Sequence, residues 1–432
     1  MSDLSRRIAN LSPEKRALFA SRHKEGQEGY HSSAIPTRQP AERYPLSFAQ
    51  QRLWFVDLFL PDSALYNNLG VALRFTGELD VAALERSLNE IVRRHEILRT
   101  TFIAIEGEPF QVIAESGSIP LSLLNLETLP AAERETEALR RAALASHEPF
   151  DLSRGPLLRA SVIRLNPQEH LLFLLLHHII TDHESNAVLM REISALYSAF
   201  VADKPSPLPE LPIQFADFAV WERERLCGEN LERLLAYWTT QLSGTLPTLA
   251  LPRSHASQNP SRFQAMTYTF TVAPDLLAGL KELSRKTGTT LYMQLLAAFK
   301  IVLYGYTRQN DIIVGTPVSN RNRLELENLL GMFVNNLVLR TDLSGNPAFL
   351  DLLQRVREVT LSAYDHQDMP FEKLVEVLRP ERVSDQTPII QVAFSYIAHT
   401  SLPDTVELPG LRLEPLSLPD DMVDLEMLLS VG

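Results

Sequence analysis

The sequence predicts a mixed α/β (α+β) protein built as two lobes. Apolar runs of strand length alternate with stretches at helical spacing along most of the chain. A proline-rich break, with Pro205, Pro207, Pro209 and Pro212, divides it near the middle. Phe270-Thr271-Val272-Ala273-Pro274-Asp275 and the helix after it faintly repeat Phe75-Thr76-Gly77-Glu78-Leu79-Asp80 and its helix, as two related lobes would. The lobes are placed at 45–212 and 213–432, after an N-terminal helix and linker at 1–44.

Composition sets the outer bounds. The chain has 432 residues, 45% of them apolar and 22% charged, enough for two sizeable cores. A net charge of -12 argues against nucleic acid as a partner, which would call for a basic stripe. Cys227 is the single cysteine, so there is no disulfide framework and no cysteine-based metal site, and a reducing cytoplasm fits. Residues 1–20 are charged and helical rather than a signal peptide, and no apolar run is long enough to span a membrane.

In chain order, Ser12-Pro13-Glu14-Lys15 marks a helix start, Ser at the cap and Pro first inside, with a linker over 24–43. Ser47 can cap a helix with Ala49, Leu53 and Val56 on its apolar face. Residues 69–75 alternate as a strand. Asp80 caps a helix over 81–95, with Leu84, Leu88, Ile91 and Val92 on one face. Strands follow at 102–105 and 109–113, a helix at 131–145 and a strand at 157–165. Residues 214–242 form a long helical region, and 246–262 a loop rich in Pro and Ser. The second lobe has an apolar helix at 290–304, strands at 311–318 and 337–341, and a helix at 349–366. A turn at 367–372 leads into a helix ending at Leu378. Strands at 388–397, 411–416 and from 424 complete the chain. Trp54 and Trp221 are assigned to the core.

The chain turns on residues 169–197. Leu171–Leu176 is an unbroken apolar run, suited to a strand buried on both faces. Val188, Leu189, Ile193 and Leu196 recur at helical spacing, so 187–200 reads as an amphipathic helix with Ser185 as N-cap. Between them stands His177-His178-Ile179-Ile180-Thr181-Asp182. Successive strand residues face opposite sides, so the two histidines cannot both face one cavity. One neutral imidazole at such a connection can accept a proton. The alternative is two packed histidines and a capping aspartate. No phosphate-cradling glycine loop, Cys/His metal spacing or Gly-x-Ser-x-Gly elbow is present, so a nucleotide site, a metal site and a serine hydrolase are not indicated.

Seven segments in order resemble the condensation domain of nonribosomal peptide synthetases, within the chloramphenicol-acetyltransferase-like superfamily. They are Ser47–Phe55, Arg94–Phe102, His177–Asp182, Phe215–Trp221, Leu330–Asn336, His366–Glu372, and Arg382 with Pro388–Gln391. The resemblance implies two chloramphenicol-acetyltransferase-like lobes, each a mixed sheet with helices, set as a V-shaped pseudo-dimer around a central tunnel. It implies amide formation between a donor acyl thioester and the amine of an aminoacyl thioester on a downstream carrier protein. The partners it implies are donor and acceptor carrier proteins and an adjoining adenylation domain. Substrates ride on phosphopantetheine arms or arrive as acyl-CoA; no cofactor is bound tightly, no metal is used, and neither nucleic acid nor membrane is a partner. A starter domain that N-acylates the first residue, and an internal domain behind a linker helix, both remain open. So do an inactive carrier-binding platform and a free-standing CoA-dependent acyltransferase.

By the same resemblance His178 is the catalytic histidine and His177 its support. Asp182 is structural and is expected to pair with Arg99, or failing that Arg94. Arg99, flanked by Leu98 and Phe102, is expected to be partly buried against an anion. Helix-start amides near Ser185 to Ala187 are expected to meet the oxyanion. Ser185, Asn335 and Ser395 are assigned to the tunnel wall, although Asn335 and the turn at Asp368 also read as architectural. The family carries Gly and Trp after the aspartate; here stand His183 and Glu184, and His183 is expected to border the tunnel. Both histidines remain, unlike in heterocyclising or oxygenase-recruiting members, and Ser47–Phe55 looks more like condensing than epimerising members. The family has a further strand and helix beyond Val431, so the resemblance implies a truncation or a tail.

Overall fold

In a computed structural model the described residues are 34–59, 68–252, 266–379, 389–396, 405–416 and 425–432. The helix at 12–23, Arg382 and Pro388 lie outside them.

The first lobe is organised on strand β7 (Glu169–His177), which pairs antiparallel with β2 (Asn68–Gly77) on one side and β6 (Leu158–Asn166) on the other. Both neighbours and both faces are covered, so eight of its nine residues are buried and the run could only be apolar. On one face lie α2 (Val81–Arg94) and α4 (His183–Val201), which pack on each other. Asp80 caps α2 as expected, accepting from the Ala83 amide at 2.9 Å. On the other face α3 (Ala131–Ser146) covers a smaller cluster with Ala138 at its centre. The parallel strand β5 (Leu121–Asn125) closes the far edge. A separate three-stranded sheet joins β1 (Tyr44–Pro45), β3 (Thr100–Ile105) and β4 (Glu108–Ile113) in the order β1-β4-β3. The pieces β1 and β5 give no strand signal in the sequence; they are short, and β5 is half-exposed, so neither shows a buried pattern.

The second lobe carries four strands in the order β13-β10-β8-β9: β8 (Asp311–Val318), β9 (Asn335–Asp342), β10 (Val392–Tyr396) and β13 (Met427–Val431). The expected long helix at 214–242 is two, α5 (Phe215–Arg225) and α6 (Gly228–Gln241), broken where Gly228 takes φ +52°. Further on come α7 (Pro274–Thr287), α8 (Leu291–Thr307), α9 (Phe349–Asp365) and α10 (Phe371–Leu378). The echo at Phe270 does not extend to a strand: residues 266–273 are irregular and Phe270 is exposed.

A cut at residue 212 does not separate the lobes. Strands β11 (Val406–Leu408) and β12 (Leu411–Leu416) return to the first lobe, where β12 pairs antiparallel with β2 and extends its sheet to six strands. Leu326, Leu329, Leu330, Met332 and Phe333, also from the second half, are buried in the first lobe's core together with Phe215 and Phe218. In return Phe48, at the start of α1 (Phe48–Phe59), packs against the second core. The sequence pattern could not show this, because a strand's period reveals a buried face but not whose sheet it joins.

One titratable amine lies inside the second core. Lys300, on the face of α8 that packs with Leu296 and Leu303, is fully buried. Its Nζ donates to Leu339 O at 2.6 Å and Ile312 O at 3.3 Å, carbonyls of adjacent strands. Burial lowers its pKa to about 7, opposed by Asp311. The unfolded chain, whose lysine titrates near its ordinary value, therefore holds a proton that the fold has shed between about pH 7 and the ordinary lysine range. Stability is then expected to rise with pH across that window, by on the order of 1 kcal/mol per pH unit where the difference is one full proton. Urea midpoints for wild type and Lys300→Met at pH 7, 8 and 9 measure this. The wild-type midpoint should climb and that of the variant should stay level; parallel profiles would refute it.

Candidate active site

Asp182, not Ser185, caps α4. The helix starts four residues earlier than expected, at His183, with Asp182 in extended backbone and Ser185 at the third helical position. Asp182 Oδ1 accepts from the Ser185 amide (2.9 Å) and Ser185 Oγ (2.7 Å), and the Ser185 hydroxyl in turn lies on the Asp182 amide (3.4 Å), a reciprocal capping box.

The ion partner of Asp182 is neither Arg99 nor Arg94. It is Arg321, whose Nη2 sits 2.9 Å from Oδ1 of a carboxylate with no exposed surface. Nη1 of Arg321 donates to Leu326 O (2.7 Å) and Leu329 O (2.6 Å), and its guanidinium lies 4.2 Å over the Phe333 ring. Asp182 Oδ2 accepts from the Phe333 amide at 3.1 Å. Gly331 makes the close approach possible: its φ is +154°, and a Cβ there would meet Phe215 Cδ2 at 2.0 Å. The expected arginines are engaged elsewhere. Arg94 reaches Glu192 on α4 (3.1 Å), which also takes His95 Nε2 (3.0 Å). Arg99, largely buried as expected, bonds Ala114 O and lies 3.7 Å from Glu96. Arg321 gave no signal in the sequence, since an arginine in the polar run Ser319–Arg323 reads as solvated. Glu192 did give one: it is a carboxylate inside the apolar stripe of α4.

The two histidines separate as the strand register requires. His177 ends β7 and is buried. Its Nδ1 accepts from the Ile179 amide (3.1 Å), so Nε2 carries the proton, 3.4 Å from Asp57 Oδ1 of α1. His178 opens a short 3-10 turn, His178–Ile180, and is half-buried. Its Nδ1 lies 2.7 Å from Thr181 O, an acceptor, so Nδ1 bears the proton and Nε2 keeps its lone pair. Burial pushes the His178 pKa down; the Thr181 carbonyl opposes this and the positive charge of Arg52 adds to it. The ring is therefore a neutral base at physiological pH. Helix α1 holds the turn from behind, since the buried Gln50 donates to Ile179 O at 3.2 Å. Ser47 is indeed the N-cap residue of α1, its Oγ accepting from Gln50 N at 3.1 Å. Arg52 bridges from α1 to Glu372 of α10 at 3.1 Å.

Several residues assigned to the tunnel wall are structural. Ser185 is fully buried in the Asp182 cluster, and its Oγ also lies 3.2 Å from Gly331 O. Its amide is already used by Asp182, so of the amides at 185–187 expected to meet the oxyanion that of Ser185 is engaged. Asn335 is buried at the start of β9; its Nδ2 donates to Gln367 O (2.8 Å) and Met369 O (2.7 Å), and its Oδ1 accepts from Phe371 N (3.0 Å). It pins the 366–370 turn, in which Asp368 meets Arg225 at 3.0 Å. Ser395 is half-buried on β10, beside Ser430 of β13. His183 takes the first position of α4, exposed to solvent. Trp54 is buried, and the half-buried Trp221 packs under Arg225 and Arg323. Among the described residues no His, Cys, Asp and Glu group could hold a metal ion, and no helix is long and apolar enough to cross a membrane.

The condensation domain family model matches residues 40–409. The chain is 49% identical over 369 residues to a linear gramicidin synthase of Brevibacillus parabrevis, covering 85% of this chain and 7% of that protein. It is 40% identical over 395 residues to phosphinothricin tripeptide synthetase PhsC of Streptomyces viridochromogenes, covering 91% of the chain and 36% of that protein. The chain thus spans a small part of the length of these relatives. Among solved structures, the X-domain in complex with OxyB from teicoplanin biosynthesis superposes with a TM-score of 0.81 at 30% identity, over 92% of this chain and 85% of that one. The first condensation domain of the calcium-dependent antibiotic synthetase gives 0.71 at 21% identity, over 87% and 85%, a likeness of fold. Sequence and fold agree: this chain belongs to the condensation domain family of nonribosomal peptide synthetases.

Proposed function

We propose that the chain forms amide bonds, joining a donor acyl thioester to the amine of an aminoacyl thioester held on a carrier protein. The observation that carries this reading is the state of His178: its Nδ1–H is fixed on Thr181 O, burial keeps the ring neutral, and Nε2 is left to accept a proton. The amine nitrogen attacks the thioester carbon, and Nε2 takes the proton released as nitrogen gains its bond. Collapse of the tetrahedral intermediate breaks the C–S bond, and the proton held on Nε2 passes to the departing sulfur, which leaves as the thiol. A thioester is already activated, so holding the amine in line contributes as much as the proton transfer or more. In this reading the substrates come on phosphopantetheine arms of donor and acceptor carriers, next to an adenylation domain, with acyl-CoA as an alternative donor.

A second reading has one observation in its favour. The X-domain superposes better than the condensation domain of the calcium-dependent antibiotic synthetase, 0.81 against 0.71, and was solved bound to another protein, OxyB. In that reading the chain is a binding platform. Incubation with an acyl thioester donor and an aminoacyl-loaded carrier, followed by intact-protein mass spectrometry, separates the two. A mass increase equal to the acyl group supports amide formation; an unmodified carrier that still binds supports the platform. Supplying the donor as acyl-CoA or as acyl-carrier shows which form is used.

Three outcomes are expected. His178→Ala should lower amide formation by about 10²- to 10⁴-fold with binding of the carriers retained; near-wild-type turnover would remove the base. Because burial and Arg52 both lower the His178 pKa, the acid limb of the kcat/KM–pH profile should lie below the ordinary histidine value, and Arg52→Met should move it upward. Arg321→Ala leaves Asp182 charged and buried, and should cost about 3–5 kcal/mol in denaturant unfolding; a change under about 1 kcal/mol would show that the pair is dispensable.

A further inference from the structure

Helix α1 opens with a reciprocal capping box. Ser47 Oγ accepts from the Gln50 amide, and Gln50 Oε1 accepts from the Ser47 amide, each at 3.1 Å. The other end of the Gln50 carboxamide is then free to bond elsewhere. The side chain has no exposed surface, and its Nε2 donates to Ile179 O at 3.2 Å, in the middle of the turn that carries His178. We propose that Gln50 is a positioning residue for His178, and that Glu222 and Arg223 of α5 hold it in place, so that a shift of α5 reaches the imidazole through the first turn of α1. The proposal rests on the amide-forming reading for what the imidazole does, but not for the link itself.

The turn is otherwise closed within residues 177–181. The Thr181 amide donates to His178 O at 3.2 Å, the His178 ring donates to Thr181 O, and the Ile179 amide donates to His177 Nδ1. These bonds fix the shape of the turn. Gln50 reaches in from another element and fixes where the turn sits. It holds the Ile179 peptide by its carbonyl, one residue from the imidazole. Ile179 is fully buried, so a carbonyl deprived of this donor has no water to replace it. The peptide then turns toward another partner and takes the His178 ring with it. A displacement of about 1 Å is enough to cost on the order of 10²-fold in rate.

Two adjacent residues of α5 grip the same helix start. Glu222 Oε2 accepts from the Phe48 amide at 3.0 Å, a donor the helix itself leaves unpaired. A carboxyl group also suits the positive end of the helix dipole. Arg223 donates through Nε to Leu46 O and through Nη2 to Gln51 Oε1 at 2.7 Å, and its guanidinium lies 4.7 Å over the Phe48 ring. Leu46 and Gln51 flank the Ser47–Gln50 box in the chain, so the box is clamped at both ends. Helix α5 anchors Phe215 and Phe218 in the first core, while Phe48 packs on the second. The grip lies where the two cores meet, and a displacement of one against the other acts on α1 there.

The test reads the ring resonances of protein labelled with ¹⁵N-histidine, the steady-state kinetics of amide formation, and urea unfolding. Gln50→Glu keeps an acceptor for the Ser47 amide, and with it the capping box, but sets an oxygen against Ile179 O. Gln50→Met removes both bonds. Each variant should shift the His178 ring resonances and lower kcat by about 10- to 10²-fold, with KM little changed. Arg223→Met should lower kcat several-fold by itself and have no further effect on top of Gln50→Met, because it acts through Gln50. Unmoved resonances with wild-type kcat in both Gln50 variants overturn the proposal. So does a loss of stability to urea with the resonances unmoved, which is what a purely structural residue gives. Independent losses in the double variant overturn the link to α5. Shifted His178 resonances in a protein that forms no amide would count against the enzymatic reading alone. Wild-type amide formation by the Gln50 variants would count against the positioning role alone.

Discussion

The Asp182 carboxylate is the constraint on which this structure depends. It is fully buried, and burial of a bare charge is prohibitive unless each oxygen is paired. Four groups pair it: the Ser185 amide and hydroxyl from its own helix, and the Arg321 guanidinium and Phe333 amide from the second half of the chain. The helix start and the crossover at 321–333 are thus tied to one atom group. The turn bearing His178 lies directly before it, so the His178 imidazole inherits its position from a salt bridge it does not touch.

The histidines divide their work through backbone geometry. His177 is the last residue of a strand whose faces are both covered, and it spends its ring on the Ile179 amide and Asp57. His178 is the first residue of the turn, where the chain leaves the sheet, and its Nδ1–H closes that turn on Thr181 O. Each ring nitrogen used for structure fixes the tautomer of its ring. A tight turn and a neutral acceptor at Nε2 are therefore consequences of the same hydrogen bond.

The two lobes are interlocked rather than hinged at a linker. Strand β12 completes a sheet begun more than three hundred residues earlier, and the 326–333 crossover fills the same lobe's core. Helix α1 makes the return contact, with Phe48 on the second core and Arg52 on Glu372. Lys300 does the same in the second lobe: its buried amine bridges two strands by donating to their carbonyls.

By itself the sequence determined the elements and the place of the histidine pair. The apolar run Leu171–Leu176, the 3.6-residue spacings and the cap at Asp80 placed the long strands and helices, because burial periodicity is a local property of the chain. The strand-to-turn position of His177 and His178 foretold their different roles for the same reason. Tertiary structure alone decided which arginine neutralises Asp182, that Ser185 is an internal fastener, and that residues 406–416 belong to the first lobe. Those outcomes depend on groups far apart in the chain meeting in space. An isolated arginine such as Arg321 has the same local pattern whether it faces water or a buried carboxylate.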